Sequence, residues 1–210
     1  MDKNRKAIRS IAKMAMLLAL LIVSSYISIN TGVLKFTLQL LVIFIIGLCS
    51  TMLESVIIVS LYIILGVLGL PIFANFGGGF AYLLSPTFGF VYSFLIGVMV
   101  MQVIKNAFRK IQKYKILEYT LMCLACLFVV YLIGLIHFYF VYNYYLDKSS
   151  TFGNAIMLTV VPYIPFDILK IVVAIITKLT IDKIYEHKVS KVQWNWFNKF
   201  IFKRKLSIAW

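Results

Sequence analysis

Two residues of opposite charge, Asp167 and Lys170, stand inside an apolar run near the end of the chain, VVPYIPFDILKIVVAIITKL. A charge at the centre of a membrane-spanning helix costs about 2.5–3.5 kcal/mol, so such residues are usually retained for a function. A separation of three positions puts both side chains on one helical face, where they partly neutralise each other. This pattern predicts a polar ligand site at membrane depth. The alternative is an ion pair that only holds two helices together.

Two prolines, Pro162 and Pro165, come just before this pair. Each removes a backbone donor and hinders a continuous helix. We therefore expect the helix to break here and to restart close to Asp167. Backbone carbonyls freed at membrane depth are tolerated where they line a cavity, and a broken helix beside a buried charge is a recurrent binding-site design in transporters.

A glycine-rich and aromatic segment, GLPIFANFGGGFAYLLSPT, covers Gly69–Thr87. Its glycines permit close backbone approach, and aromatic side chains such as that of Tyr82 offer apolar faces. Asn75 can donate and accept hydrogen bonds at once. The segment predicts a loop that caps a ligand pocket, with a plain connector as the alternative. Thr37 and Gln39 precede it in the chain and can hydrogen-bond either a ligand or a neighbouring helix.

Residue patterns typical of enzymes are missing from the sequence. No nucleophile has an acid–base partner at readable spacing, and the chain has only two histidines, so neither a catalytic nor a metal site is expected. The glycine run Gly77–Gly79 lacks the lysine and hydroxyl residue of an ATP-binding loop. No cofactor is expected, and any ATP-driven step must use another subunit.

The elements that hold these residues are expected to be membrane helices. The sequence is 62% hydrophobic with a mean hydropathy of +0.96, whereas soluble domains are about half apolar. Several apolar runs are long enough for a span of about 20 residues. No cleavable signal peptide is expected at the long first run. The predicted helices are Ile8–Ser28, Phe36–Thr51, Ser55–Leu70, Pro86–Ile104, Leu117–Tyr144 and Gly153–Thr180.

The positive charges divide unevenly between the two ends of these helices. The segment through Lys13 holds five Lys/Arg, the Lys105–Lys115 loop five, and the stretch from Lys178 onward eight, whereas the opposite loops hold only Lys35 and Lys148. Cytoplasmic loops carry the excess of Lys and Arg. The sequence thus predicts an all-α cell-membrane protein of six transmembrane helices, with both termini cytoplasmic and the capping loop outside. The net charge of +14 reflects this topology and does not indicate a nucleic-acid partner.

The chain is expected to form a six-helix domain over residues 1–182 and a basic, aromatic cytoplasmic tail over 183–210. Alternating aromatic and basic residues suit the lipid headgroup layer, and a docking surface for a cytoplasmic partner is the alternative. Ala15 and Ala19 form a pair of small residues that lets another helix approach closely.

Motifs in four places resemble the BioY family, and the resemblance covers the chain from the first helix to about Thr180. GLPIFA followed by glycines and YLLSPTFGF is similar to that family's GLPVFA…YLLGPTGGY region, and PYIPFDILK is similar to its PFxPGDLLK helix. FTLQ resembles the family's PxTLQ segment, and Ala15 and Ala19 match its AxxxA motif. The chain departs from these patterns at four positions, which reshape the pocket walls: Lys35, Ser85, Phe88 and Phe166.

The resemblance implies a substrate-binding component of an energy-coupling-factor (ECF) importer that takes up biotin. It implies as partners a transmembrane coupling protein, which Ala15 and Ala19 would face, and two ABC-type ATPases. Asp167 and Asn75 would suit the ureido ring of biotin, and Lys170 would neutralise its carboxylate or orient Asp167. Two alternatives remain open: a binder of another small vitamin, and a membrane assembly protein whose charged pair only locks helices.

Overall fold

The computed structural model describes residues 2–30, 35–108, 114–146 and 151–206, with side chains given as far as His187. Residues 31–34, the middle of the basic loop and the side chains of residues 188–210 lie outside the described residues. Seven α-helices and two short strands are present in that part of the chain. They are α1 (Asp2–Tyr26), β1 (Ser28–Asn30), β2 (Lys35–Thr37), α2 (Gln39–Cys49), α3 (Met52–Val67), α4 (Phe88–Phe108), α5 (Lys115–Phe140), α6 (Phe152–Thr159) and α7 (Ile164–Leu206).

Three of these helical stretches are long and apolar enough to cross a membrane, namely Asn4–Tyr26, Phe88–Phe108 and Lys115–Tyr145. The third includes a π-helical turn that follows α5. A fourth span results if α6 and the first part of α7 are counted together. The helices α2 and α3 are apolar but shorter, with 11 and 16 residues.

The predicted start of the second helix, Phe36, lies too early in the chain, because α2 begins at Gln39. Phe36 and Thr37 belong to β2, which pairs antiparallel with β1, so that Ile29 lies opposite Phe36. Ser28, placed at the end of the first predicted helix, lies in β1 for the same reason. Aromatic and β-branched residues suit an extended backbone, and the partner strand decides between helix and strand here. The fold is therefore mostly helical with one small two-stranded sheet.

The junction of α2 and α3 is fixed by a polar cluster at the end of the bundle where α1 begins. Thr51 caps α3, and its backbone N–H donates to the Glu54 carboxylate in a capping box. The same carboxylate accepts from Lys13 at 2.6 Å and from Ser10 at 2.5 Å. On the other side, Gln102 of α4 donates to the Gly47 carbonyl at 2.7 Å. These bonds join α1 and α4 to the tight turn between α2 and α3.

The predicted break in the last apolar run is confirmed. The helices α6 and α7 meet at a bend of 47°, with Val160–Tyr163 between them. Pro162 lies in the break, and Pro165 lies in the first turn of α7, where a missing N–H costs no hydrogen bond. The new helix starts at Ile164, one turn before Asp167.

The chain divides into two compact units, Met1–Ile175 and Ile176–Trp210. The first holds all the elements from α1 to the start of α7. In the second, α7 continues to Leu206, and Lys178 and Asp182 form an ion pair one turn apart at 2.5 Å.

Candidate functional site

A cavity of about 90 Å³, open to solvent, lies between β2, α2, α4, α5 and the α6–α7 break. Its apolar wall includes Leu40, Phe90, Val91, Phe94 and Val130. Aromatic and aliphatic side chains around a few polar groups are the usual composition of a ligand pocket.

Asp167 and Lys170 form the charged centre of this cavity. Both are buried, with 3% and 6% of their surfaces exposed. The Lys170 ammonium donates to Asp167 Oδ1 at 2.7 Å, and the hydroxyl of Tyr131 on α5 donates to Asp167 Oδ2. Each carboxylate oxygen thus has a donor, which offsets the cost of burying the charge.

The ammonium of Lys170 is also held by an aromatic ring. It lies 4.1 Å from the centroid of Phe36 on β2, an attractive cation–π geometry. The Phe36 ring in turn packs edge-on against Phe166 at 5.0 Å. The β-strand that the sequence did not predict therefore supplies one wall of the site.

Gln39, as predicted from the sequence, lines the cavity, and it is part of a hydrogen-bond chain. Its Oε1 accepts from the Thr37 hydroxyl at 3.0 Å, and its Nε2 donates to the Tyr62 hydroxyl at 2.5 Å. Tyr62 donates onward to the carbonyl of Ile72 in the α3–α4 connection at 3.0 Å. Since the Ser25 hydroxyl of α1 donates to the same carbonyl, these bonds join the cavity wall to the connection and to α1.

The α3–α4 connection contributes Ala74, Tyr82 and Thr87 to the cavity. The Tyr82 hydroxyl lies 3.3 Å from Thr87 Oγ1, and the Tyr82 ring packs on Phe73 at 4.9 Å. Burial raises the pKa of the Tyr82 hydroxyl above its usual value, so this group stays a neutral donor. The connection therefore forms part of the pocket wall.

Asn75 is the predicted site residue that the structure does not bring to the cavity. Its backbone adopts a left-handed conformation with φ of 57°, which asparagine tolerates better than most residues. Its side-chain oxygen accepts from the Ser28 hydroxyl at 2.6 Å, and the neighbouring Ala74 lines the cavity instead. A contact between Asn75 and a ligand stays a prediction.

Ala15 and Ala19 lie on the exposed surface of α1, away from the cavity. Large apolar side chains are exposed on the same helix, among them Ile8, Ile11 and Met16. The Nε2 atom of His137 lies 3.1 Å from the Ser85 carbonyl oxygen, so this side chain has a structural contact of its own.

Polar cavity residues that the sequence analysis did not single out as ligand groups include Tyr131, Thr159 and Tyr163. One feature of the sequence could have pointed to Tyr131. Tyrosine is enriched at membrane interfaces, whereas this one stands in the middle of the apolar run CLFVVYLIGL. Thr159 and Tyr163 flank the α6–α7 break, and their position depends on the 47° bend.

We expect Gly78→Ala to distort the α3–α4 connection. An added Cβ would lie 2.2 Å from the Leu70 carbonyl oxygen, and this backbone group cannot move aside easily. Overpacking costs about 1–3 kcal/mol, which should lower the melting temperature of the purified protein by roughly 2–10 °C. Gly153→Ala is the matched control, because nothing lies within 4 Å of its added Cβ. Equal melting temperatures for the two variants would contradict the close approach at Gly78.

The chain has relatives among known proteins. The model of the BioY family matches residues 1–187. The biotin transporter BioY of Thermotoga maritima is 32% identical over 84% of this chain and 97% of its own length. The probable biotin transporter BioY of Pyrococcus horikoshii is 31% identical over 80% of this chain and 93% of its own.

A solved structure has the same fold. It is the crystal structure of the S-component for biotin from an ECF-type ABC transporter, which matches with a TM-score of 0.74 at 19% identity. The match covers 86% of this chain and 94% of that one. Together with the apolar spans, these relatives make the protein a multi-pass protein of the cell membrane. Because the family model matches residues 1–187 and the relatives align along nearly their whole length, the chain belongs to the BioY family.

Proposed function

We propose that this protein binds biotin from the outer side of the membrane and delivers it inward as the substrate-binding subunit of an ATP-driven ECF importer. The observation that carries the proposal is the hydrogen-bonded Tyr131–Asp167–Lys170 group, with Asp167 and Lys170 buried, in the wall of a mostly apolar cavity. Two relatives matched over most of this chain are named biotin transporters.

The chemistry of biotin suits this cavity. A ureido N–H can donate to Asp167, and the ureido carbonyl can accept from Lys170. The thiophane ring and aliphatic tail can pack on the aromatic and aliphatic wall. Thr37, Gln39 and Tyr82 supply further polar groups along the cavity, which are available to the ureido ring or to the tail carboxylate.

The topology that goes with this function has six spans, both termini in the cytoplasm and the α3–α4 connection outside. The uneven distribution of Lys and Arg supports this orientation. Residues 1–182 would form the binding domain. Residues 183–210 would lie at the cytoplasmic headgroup layer, since basic and aromatic residues alternate there.

As a subunit of this kind the protein would not be an enzyme and would need no cofactor. ATP would be hydrolysed by two ABC-type ATPases, and a transmembrane coupling protein would connect them to this chain. The exposed small residues Ala15 and Ala19 on α1 support a helix-packing surface for the coupling protein.

We expect biotin to raise the melting temperature of the purified protein without nucleotide. A ligand that binds only the folded state stabilises it by about 2.7 kcal/mol at 100 times its Kd, which corresponds to roughly 5–10 °C for a chain of this size. A panel of other small vitamins, each at the same concentration, is the control.

The outcomes of this experiment separate the candidate functions. A shift with biotin alone supports the proposal, and a shift with another vitamin in place of biotin assigns the site to that vitamin. A folded protein that no ligand stabilises would contradict a binding role and favour an assembly protein.

A further inference from the structure

Tyr131 is placed where it can influence whether the site binds a neutral or a cationic ring. It stands on α5 within a span, and its hydroxyl donates to Asp167 Oδ2 while Lys170 donates to Oδ1. Resting on the proposed function, we propose that Tyr131 determines specificity by making the site select a neutral cyclic urea over its cationic cyclic guanidinium analogue.

The first step of the argument is the charge of the cavity. Among the described residues that line it, Asp167 and Lys170 are the only charged ones, so its formal charge is zero. Lys170 is buried at 6% exposure and is held in place by Asp167 and by the Phe36 ring. A second cation introduced here would be repelled by Lys170 at low dielectric.

The second step is the saturation of the Asp167 carboxylate. A carboxylate that lacks donors attracts any cation, but here Tyr131 and Lys170 each already occupy one oxygen. The oxygens retain further lone pairs, and these suffice for one N–H of a neutral ligand. Tyr131 therefore lowers the attraction of the site for a cation while leaving an acceptor for a urea N–H.

The third step is the donor count. The single O–H of Tyr131 is used by Asp167 Oδ2, whereas Lys170 uses only one of its three N–H groups on Asp167 Oδ1. A ligand there therefore meets an acceptor in Asp167 and a donor in Lys170. A cyclic urea offers both a carbonyl that accepts and an N–H that donates. A cyclic guanidinium offers N–H groups only, so nothing on it accepts from Lys170, and a buried donor left without an acceptor reduces affinity.

The test compares biotin with 2-iminobiotin, in which the ring carbonyl is replaced by an imine that is protonated at neutral pH. Affinities for both are measured on the full-length purified chain by competition against labelled biotin. We expect Tyr131→Phe to weaken biotin binding about tenfold, because the Asp167 carboxylate loses the charge-assisted hydrogen bond that orients it. The preference for biotin over the cationic analogue should fall by about tenfold or more, because a carboxylate without its Tyr131 donor attracts the cation more strongly.

The control is Tyr92→Phe. Tyr92 lies outside the residues that line the cavity and packs with Phe88 and His137. The Tyr92→Phe substitution should leave the affinities for biotin and for 2-iminobiotin unchanged. A structural role for Tyr131 would lower the affinities for both ligands in proportion and leave their ratio the same.

A measurement on the unaltered protein keeps the inference testable if Tyr131→Phe does not fold. Binding of 2-iminobiotin should strengthen as pH rises and the analogue loses its proton. Equal affinity for biotin and the cationic analogue at neutral pH would overturn the inference, as would an unchanged ratio in a folded Tyr131→Phe protein. Failure of the unaltered protein to bind biotin would instead overturn the proposed function itself.

Discussion

Replacing Asp167 with asparagine is expected to weaken biotin binding by about 100-fold or more. Asparagine keeps the shape of the side chain. It replaces the charged carboxylate, whose oxygens accept hydrogen bonds from Lys170 and Tyr131, with a neutral amide. Truncating one partner of a buried, hydrogen-bonded charge pair costs about 2–5 kcal/mol in binding, and every 1.4 kcal/mol corresponds to a factor of ten in affinity. Lys170→Ala is expected to have a similar effect, because it leaves the carboxylate buried without its cation. Titration of the purified variants with biotin measures both.

The matched control is Asp182→Asn, which removes the carboxylate of another ion pair on the same helix. Asp182 accepts from Lys178 one turn earlier, and both side chains are more exposed than those of the cavity pair. Exposed pairs of this kind contribute about 0–1 kcal/mol, so biotin affinity should not change.

A double variant, Asp167→Asn with Lys170→Met, separates binding from helix locking. Both charges lie on α7, so a purely structural role would act through the bond from Tyr131 on α5 to Asp167. In that case removing both charges restores stability and no variant shows a ligand effect. If the pair binds biotin, the double variant folds and still fails to bind. Retention of tight biotin binding by Asp167→Asn would contradict the assigned site.

The sequence predicted the charged centre of the site because the evidence for it is local. An ionisable pair in an apolar run can be recognised without any tertiary information, and so can two prolines that interrupt a helix. The structure confirms the break between α6 and α7. The strand at Phe36 and Thr37 was missed because its conformation is decided by pairing with Ser28–Asn30, and no local pattern encodes that pairing.

The remainder of the site depends on contacts between distant segments. Tyr131 is 36 positions from Asp167, and only the packing of α5 near the start of α7 brings its hydroxyl to the carboxylate. Contacts with distant segments also explain unusual residues in the α3–α4 region. Phe88 fills space among Phe73, Tyr82 and Tyr92 behind the cavity wall. Asn75 has a left-handed backbone and a bond to Ser28, and it is not among the residues that line the cavity, so its contact with a ligand stays a prediction.

Substitution of both Ala15 and Ala19 by tryptophan is expected to reduce transport strongly while leaving biotin binding intact. The two alanines are one helical turn apart on an exposed face of α1, and small residues there allow another helix to approach closely. A tryptophan side chain would hold the coupling protein away. Overpacking costs about 1–3 kcal/mol per site, so the double variant should reduce uptake by at least about tenfold. Uptake of labelled biotin is measured in vesicles that contain the coupling protein and the ATPases.

The control is Leu20→Trp, which adds bulk to the same helix on a face turned by about 100° from Ala19. Leu20 is 43% exposed, so its replacement should leave uptake close to that of the unaltered protein. Biotin titration of the purified variants must show unchanged affinity, because neither alanine lines the cavity. Loss of binding together with uptake would mean that the alanines support the fold of this subunit. Full uptake in the double tryptophan variant would mean that the coupling protein contacts another surface.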